Sequence, residues 1–298
     1  MKNNPISKAL LSILVLLSAS CGEEEKVFDF PIRPEPTVEV HIPMNKEDSL
    51  AMVAFYHSMK CAEWEPGYHW DITDYDTWGG CTVELGADGE YHIVKIKLVE
   101  PKYFPAGYSL PSEIGNMRSL RSLVLFGDKR ATGGIPKELF NCPLEELYFA
   151  GEGFTGTIPK EIGKVGKTLR WCRISNSLIG GEIPEEITQL QHPDLYLSLI
   201  SNQFKGKVPI FMRRLPKVCD LSYNYFTEMD WRYFTEEDGN VPCMHRNCLS
   251  GEIPQEVLLS PKWKEWRWTI TGQREGYGYD DSYFDKNKSV SYTHLTLP

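Results

Sequence analysis

The chain has 298 residues, 41% hydrophobic and 24% charged, the composition of a folded globular protein of one or two domains. Its 41 acids outweigh its 32 bases, and the formal charge is −9. No stretch gathers Lys and Arg into a stripe, which argues against a nucleic-acid partner. Eight cysteines are too few for a disulfide scaffold and many for a purely cytosolic chain, so each is placed by its surroundings.

The first segment is an address. Lys2 and Lys8 precede an apolar run from Ala9 to Leu17. That run is far shorter than the roughly 20 residues a bilayer span needs, and it suits a secretory signal over residues 1–20. Ser18, Ala19 and Ser20 lead into Cys21, a pattern that resembles the bacterial lipobox, in which the cysteine thiol receives a diacylglycerol. Ordinary cleavage near Ser20 is the alternative. Gly22-Glu23-Glu24-Glu25 resembles the surface-export signal of Gram-negative outer-membrane lipoproteins, with a solvated tether as the alternative. Residues 21–46 thus read as lipid anchor and Pro-rich tether. The expected location is the outer membrane of a Gram-negative bacterium, exposed at the surface.

Residues 47–92 come next. Ala51, Ala54, Phe55 and Met59 keep helical spacing and predict a helix over 48–60. Cys61, Trp64, Trp70 and Trp78-Gly79-Gly80-Cys81 follow.

From residue 93 to 259 the chain repeats itself. An apolar residue followed by proline recurs at Leu110-Pro111, Ile135-Pro136, Ile158-Pro159, Ile183-Pro184, Val208-Pro209 and Ile253-Pro254. An L-x-x-L-x-L segment lies upstream, as in Leu120/Leu123/Leu125, Leu144/Leu147/Phe149 and Leu169/Cys172/Ile174. Glu152, Ser177, Asn202 and Asn247 fill the slot that ends the strand, and Asn224 fills it in a rung whose Gly-x-Ile-Pro half is replaced by EMDWRYF. An asparagine there can satisfy the backbone of a tight coil, so the ladder is expected to be weak in the first half.

These features resemble the leucine-rich repeat, and the segments GGIP, GTIP, GEIP, GKVP and GEIP resemble its plant-type subclass. The resemblance implies a repeat solenoid: a right-handed superhelix of about seven rungs, a parallel β-sheet on the concave face, and 3-10 or loop returns on the convex face. Stacking at about 4.8 Å per rung gives a sheet roughly 30 Å long. It also implies a helical N-terminal cap closed by a disulfide, here Cys61–Cys81, with two free thiols as the alternative. Residues 260–289 read as an aromatic C-terminal cap carrying Trp263, Trp266 and Trp268, against a ligand platform. The last stretch, 290–298, back-translates into a string that resembles a transposon end used in sequencing libraries, and is expected to be an adapter artefact, with a genuine tail as the alternative.

The remaining cysteines are read individually. Cys172 and Cys219 occupy core slots two rungs apart, near 10 Å, and are expected as buried free thiols. Cys142 is unassigned. Cys243, His245 and Cys248 offer three metal ligands without a fourth, so a local disulfide or free thiols are preferred. Asp74, Asp76, Asp280 and Asp281 read as solvated loops rather than calcium ligands. No cofactor and no metal are expected. No H-E-x-x-H, G-x-S-x-G or phosphate-cradling glycine loop occurs, and the chain reads as a non-enzyme.

Binding fits better. Phe126, Tyr148, Trp171, Arg173, Tyr196, Asp220, Tyr223, His245 and Arg246 are expected to point outward from the strands. Trp, Tyr and Arg dominate binding hot spots. The expected ligand is a protein or peptide on the concave face of a monomer. Alternatives are a glycan-binding accessory lipoprotein and the targeting module of an enzyme whose catalytic domain lies beyond a truncated C-terminus.

Overall fold

A computed structural model of the chain describes residues 43–271, except 65–69, 72–73, 75–76, 100–104, 128–130, 152 and 250, together with Leu295–Thr296. Cys21, Glu152, Asp76, Asp280 and Asp281 lie outside the described residues, as do the signal, the anchor and most of the tether. Among the described residues, no helix is long and apolar enough to cross a membrane.

In chain order the strands are β1 (Cys81–Leu85), β2 (Tyr91–Leu98), β3 (Ser122–Phe126), β4 (Glu146–Ala150), β5 (Thr155–Gly156), β6 (Trp171–Ser175), β7 (Leu178–Gly181), β8 (Tyr196–Ser198), β9 (Gln203–Lys207), β10 (Tyr225–Glu228), β11 (Gly251–Glu252) and β12 (Leu295–Thr296). One sheet runs β1-β2-β3-β4-β6-β8, and a second runs β10-β9-β7-β5. In the first, β1 and β2 form an antiparallel hairpin, and every later pairing is parallel. Bridges from Ser198 to Asp220 and from Asp220 to Cys243 carry the ladder two rungs further. This is the leucine-rich-repeat solenoid, one short strand per rung.

The proline pairs explain the return path. Each of five 3-10 helices starts directly after a proline: Ser112–Asn116 after Pro111, Lys137–Asn141 after Pro136, Lys160–Val165 after Pro159, Glu185–Gln189 after Pro184, and Ile210–Arg214 after Pro209. Proline has no N–H to leave unpaired at a helix start, and it holds the residue before it extended. The glycine that opens four of these Gly-x-Ile-Pro-like segments does separate work. Gly133, Gly156, Gly181 and Gly206 have φ of 76°, 83°, 71° and 82°, in the left-handed region where a side chain is strained.

Within each rung, inward and outward residues alternate. Ile96, Leu123, Leu147, Cys172 and Leu197 form one inward row across β2 to β8, and all are buried. Cys172 and Cys219 are buried free thiols, as expected, because each replaces a core leucine. Burial pushes Cys172 up to about 12, so the thiol is inert at neutral pH.

The asparagine ladder closes the inner edge. Asn224 Nδ2 donates to the carbonyls of Leu199 (3.0 Å), Leu221 (3.0 Å) and Ser222 (3.2 Å), and its Oδ1 accepts the N–H of Phe204 at 3.2 Å. Asn247 repeats the pattern, reaching Leu221 at 3.0 Å and accepting the N–H of Phe226 at 3.1 Å. Asn202 bonds Ile174 at 2.7 Å, but its Oδ1 finds no hydrogen-bond partner. One rung earlier the slot holds Ser177, whose hydroxyl reaches only the Ser175 carbonyl at 3.3 Å. The ladder is therefore complete only in the second half.

Both ends are covered. Helix α1 (Lys46–Ser58) is capped by Asn45, whose side chain accepts from Glu47 and Asp48, and it buries Ala51, Met52 and Phe55. Trp70 sits between Phe55 (6.1 Å), Trp64 (5.0 Å) and Trp78 (6.2 Å), an aromatic plug below the first rung. The expected Cys61–Cys81 disulfide is not formed: both are free thiols, and no disulfide occurs among the described cysteines. Burial raises both thiols well above their ordinary range, and the cap is filled by the packing of Trp64, Trp70 and Trp78 rather than by a bridge.

At the far end, α2 (Arg232–Thr235) replaces the Gly-x-Ile-Pro return, followed by α3 (Gln255–Leu259), α4 (Pro261–Trp266) and α5 (Trp268–Thr271). Trp263 is buried edge-on against Phe234 at 5.1 Å, the structural role expected of it. Lys262 Nζ pins the cap by donating to the carbonyls of Glu236 (3.1 Å), Asp238 (3.2 Å) and Gly239 (2.8 Å).

Replacing Asn224 with Ala should lower unfolding stability by about 3 kcal/mol, because it strands several buried backbone groups at once. Ser177→Ala should cost well under half of that. Urea unfolding followed by circular dichroism would compare them, and equal losses would refute the ladder's unequal strength.

Candidate functional site

Register decides what the concave face displays. One outward row runs Lys95, Ser122, Glu146, Trp171, Tyr196. The next runs Lys97, Val124, Tyr148, Arg173, Ser198, Asp220, Cys243. A third begins with Phe126, Ala150 and Ser175. Side chains on a strand alternate faces, so these rows lie opposite the inward one; Val124, Ala150, Ser175 and Ser198 are nonetheless buried, while Phe126, Trp171 and Tyr196 are exposed.

The aromatic residues gather in the middle. Trp171 and Tyr196 are 44% and 37% exposed and stack on each other at 4.3 Å between centroids. One row over, the Arg173 guanidinium lies 5.4 Å above the Tyr148 ring and donates from Nε to Ser175 Oγ at 3.2 Å. Phe126 is 42% exposed at the end of its strand. The four residues Tyr148, Trp171, Arg173 and Tyr196 thus sit on three adjacent strands, two by two, and the geometry holds each side chain in place before any ligand arrives.

Charge is graded along the face. Lys95 and Lys97 lie at the β2 end, and Asp220 lies past β8, where its carboxylate accepts the Ser222 N–H at 2.9 Å. Beside the aromatic centre opens a groove of about 580 Å³ lined by Glu84, Arg121, Glu145, Arg170, Trp171 and Asp194, among others. Its rim carries the ion pairs Arg121–Glu84 and Arg170–Glu145. Ser122 donates to Glu146 at 2.6 Å on its floor.

Two expected strand residues are elsewhere. Tyr223 and Arg246 do not point out from strands. They occupy equivalent turns just before the ladder asparagines, at φ of 57° and 53°. Each rung needs a left-handed residue there to turn the asparagine inward, and Asn176 and Ser201 fill the same position at 54° and 58°. Arg246 lies 5.7 Å over the Tyr223 ring, so the two form a separate pair at the edge of the face. His245 is half-buried, and burial lowers its pKa, with Asp220 opposing. Cys243 and Cys248 are free thiols, and the bridge between them is not formed.

Sequence reasoning missed the second sheet. There Leu178 and Tyr225 are exposed and flank Gly180, Gly181, Gln203 and Lys205 in a depression of about 460 Å³. Gly180 is required by close approach, since a Cβ would stand 2.8 Å from the Gln203 carbonyl oxygen. Sequence reasoning also missed the hairpin turn between β1 and β2. Asp88, Glu90 and His92 converge there, the one group of His, Cys and acidic side chains among the described residues placed to hold an ion. Alternation at i, i+2 and i+4 was the available signal.

No protein-family model matches the chain. Among solved structures it is similar to PEPR1-AtPEP1, at 20% identity and a TM-score of 0.55, over 78% of this chain and 31% of that one. It is similar to a plant ice-binding protein, at 18% identity and a TM-score of 0.54, over 72% and 67%. The leucine-rich-repeat ectodomain of the receptor kinase SOBIR1 from Arabidopsis thaliana matches at 20% identity and a TM-score of 0.48, over 63% and 98%. The chain is a leucine-rich-repeat solenoid with an aromatic centre on its concave face.

Because the concave aromatics stand outside the core, Trp171→Ala should cost only about 1 kcal/mol of stability, the value of one aromatic stack. Phe149→Ala, one residue from Tyr148 but fully buried, should cost about 3–5 kcal/mol. Denaturant midpoints for the two variants would check this, and a large loss for Trp171→Ala would place its ring in the structural core.

Proposed function

We propose that this chain is a recognition module that holds a protein or peptide on its concave face. The observation that carries the reading is the pre-arranged set of Tyr148, Trp171, Arg173 and Tyr196 on neighbouring rungs. Aromatic and arginine side chains bury large area at small entropic cost, and these are already immobilised by each other. The fold alone leaves the ligand open, since similar structures with a TM-score above 0.5 include both PEPR1-AtPEP1 and a plant ice-binding protein. A protein or peptide is favoured over a glycan because charged and aromatic groups share one face. Lys95, Lys97 and the Arg121 and Arg170 ion pairs border the aromatic centre and would meet a polypeptide of mixed charge.

The module is anchored from its N-terminus in this reading. The short apolar run, Cys21 and the acidic residues after it support export, lipidation and surface display on an outer membrane. The tether would let the solenoid reach a partner beyond the lipid headgroups. No cofactor or catalytic step is assigned to it.

The test is a protein, peptide and glycan array probed with the purified chain and with a Trp171→Ala/Tyr148→Ala double variant. Saturable protein or peptide binding that weakens about 100-fold in the variant is expected. Glycan binding that survives the variant would overturn the concave-face reading. Separately, metabolic labelling with a fatty acid should mark the wild-type chain and not Cys21→Ser. Equal labelling of both would remove the anchor.

A further inference from the structure

The hairpin that joins β1 to β2 turns through Gly86–Glu90, with the Gly86 N–H bonded to the Glu90 carbonyl at 2.8 Å. Around this turn Asp88, Glu90 and His92 each present a ligand atom, all within 4.8 Å of one another. Surface acids often cluster, so the supporting features matter more than the cluster itself.

The first is the histidine's setting. His92 Nε2 faces Asp88 Oδ2 at 2.9 Å on the solvent side. Its other nitrogen, Nδ1, is buried without a hydrogen-bond partner and lies 3.4 Å from Asp48 Oδ2. Asp48 is only 1% exposed, and that oxygen also accepts the Ile93 N–H at 2.8 Å. A buried carboxylate behind one imidazole nitrogen, with the other nitrogen facing carboxylates, is the arrangement that orients a metal-ligating histidine. Binding at Nε2 fixes the proton on Nδ1, where Asp48 Oδ2 is placed to accept its hydrogen bond. The second carboxylate is oriented too: Asn45 Nδ2 holds one oxygen of Glu90 at 2.7 Å.

The second feature is a close approach. Gly86 does not have a positive φ, so the backbone gives no reason for glycine there. A Cβ at that position would stand 2.5 Å from Asp88 Oδ1, 2.7 Å from His92 Cδ2 and 3.0 Å from His92 Nε2. Glycine lets the aspartate and the histidine close against the backbone of the turn, where any side chain would push them apart.

We propose that Asp88, Glu90 and His92 bind a zinc-class divalent cation, with Asp48 as the orienting carboxylate behind His92. One imidazole and two carboxylates suit such an ion, and bonds of about 2.1 Å require ligand atoms about 3.4 Å apart, which small side-chain rotations supply. A fourth position is left to water. The ion ties the hairpin to α1, because Asn45 and Asp48 belong to the cap and first turn of that helix. It would therefore cross-link an N-terminal cap whose cysteines are unbridged.

Calorimetric titration of the full chain with zinc chloride should show one saturable ion per chain, and thermal unfolding should shift upward with zinc. Asp88→Asn and Glu90→Gln should each weaken binding at least about tenfold, and Asp48→Asn by about 10–100-fold. Gly86→Ala removes no ligand and should weaken binding comparably by pushing Asp88 and His92 out of place. Glu113→Gln, an exposed acid on another rung, should leave it unchanged. Circular dichroism of Glu90→Gln and Gly86→Ala separates lost binding from lost folding. Absence of saturable binding to the wild-type chain, or equal loss in Glu113→Gln and Asp88→Asn, would overturn the site.

Discussion

A rung of this solenoid cannot bury its own apolar side, and everything else follows from how the next rung does it. The parallel ladder locks Leu123 beside Leu147, Leu147 beside Cys172, and Cys172 beside Leu197. With the strand period at two, that inward row fixes which residues face out. The turn after each strand has its own requirement: a residue in the left-handed region, then a side chain that reaches back to the carbonyls of its own and the preceding rung. Asparagine does this fully at 224 and 247, incompletely at 202, and serine barely does it at 177. The second half of the solenoid is thus knit by side chains as well as by strands, and Phe204 and Phe226 stack 6.4 Å apart with their planes nearly parallel behind it.

Freedom from the core is what makes the concave face informative. Ser122 and Val124 show that small residues are acceptable in the outward rows. Trp171 and Tyr196 by contrast remain 44% and 37% exposed, so their rings are not held by burial in the core. Their mutual contacts do not argue against binding. A stacked pair has fewer rotamers to lose than two isolated rings, so the cost of ordering falls before a partner arrives.

Most of the scaffold was legible because periodicity is read directly from spacing. The apolar–proline pairs located five 3-10 returns, and the L-x-x-L-x-L segments located the strands. Features that depend on three-dimensional closure were not. Tyr223 and Arg246 looked like strand residues because the asparagine slot was counted without the left-handed turn that precedes it. The pairing of Cys61 with Cys81 rested on resemblance alone, while the cap is filled by tryptophans that spacing could not assemble. Within the aromatic centre, Trp171 and Tyr196 were individually visible, but their stacking needed the register between β6 and β8.

The two ends of the solenoid solve the same problem by opposite chemistry. The C-terminal cap buries Trp263 and hands its exposed carbonyls to one lysine, Lys262, so its polar groups are satisfied locally. The N-terminal cap instead buries a carboxylate. Burial raises the Asp48 pKa, and the Ile93 N–H and His92 offset that only in part, so the group is held at a cost. Burial by itself would lower the His92 pKa, yet the carboxylates of Asp88 and Asp48 on either side raise it overall. A cap designed only to exclude water would place an apolar side chain where Asp48 stands, as it does at Ala51, Met52 and Phe55 on the same helix. Local rules are broken where function requires it. A buried acid on α1, and a glycine without backbone need and an imidazole aimed at two carboxylates on the hairpin it faces, break three of them in one place.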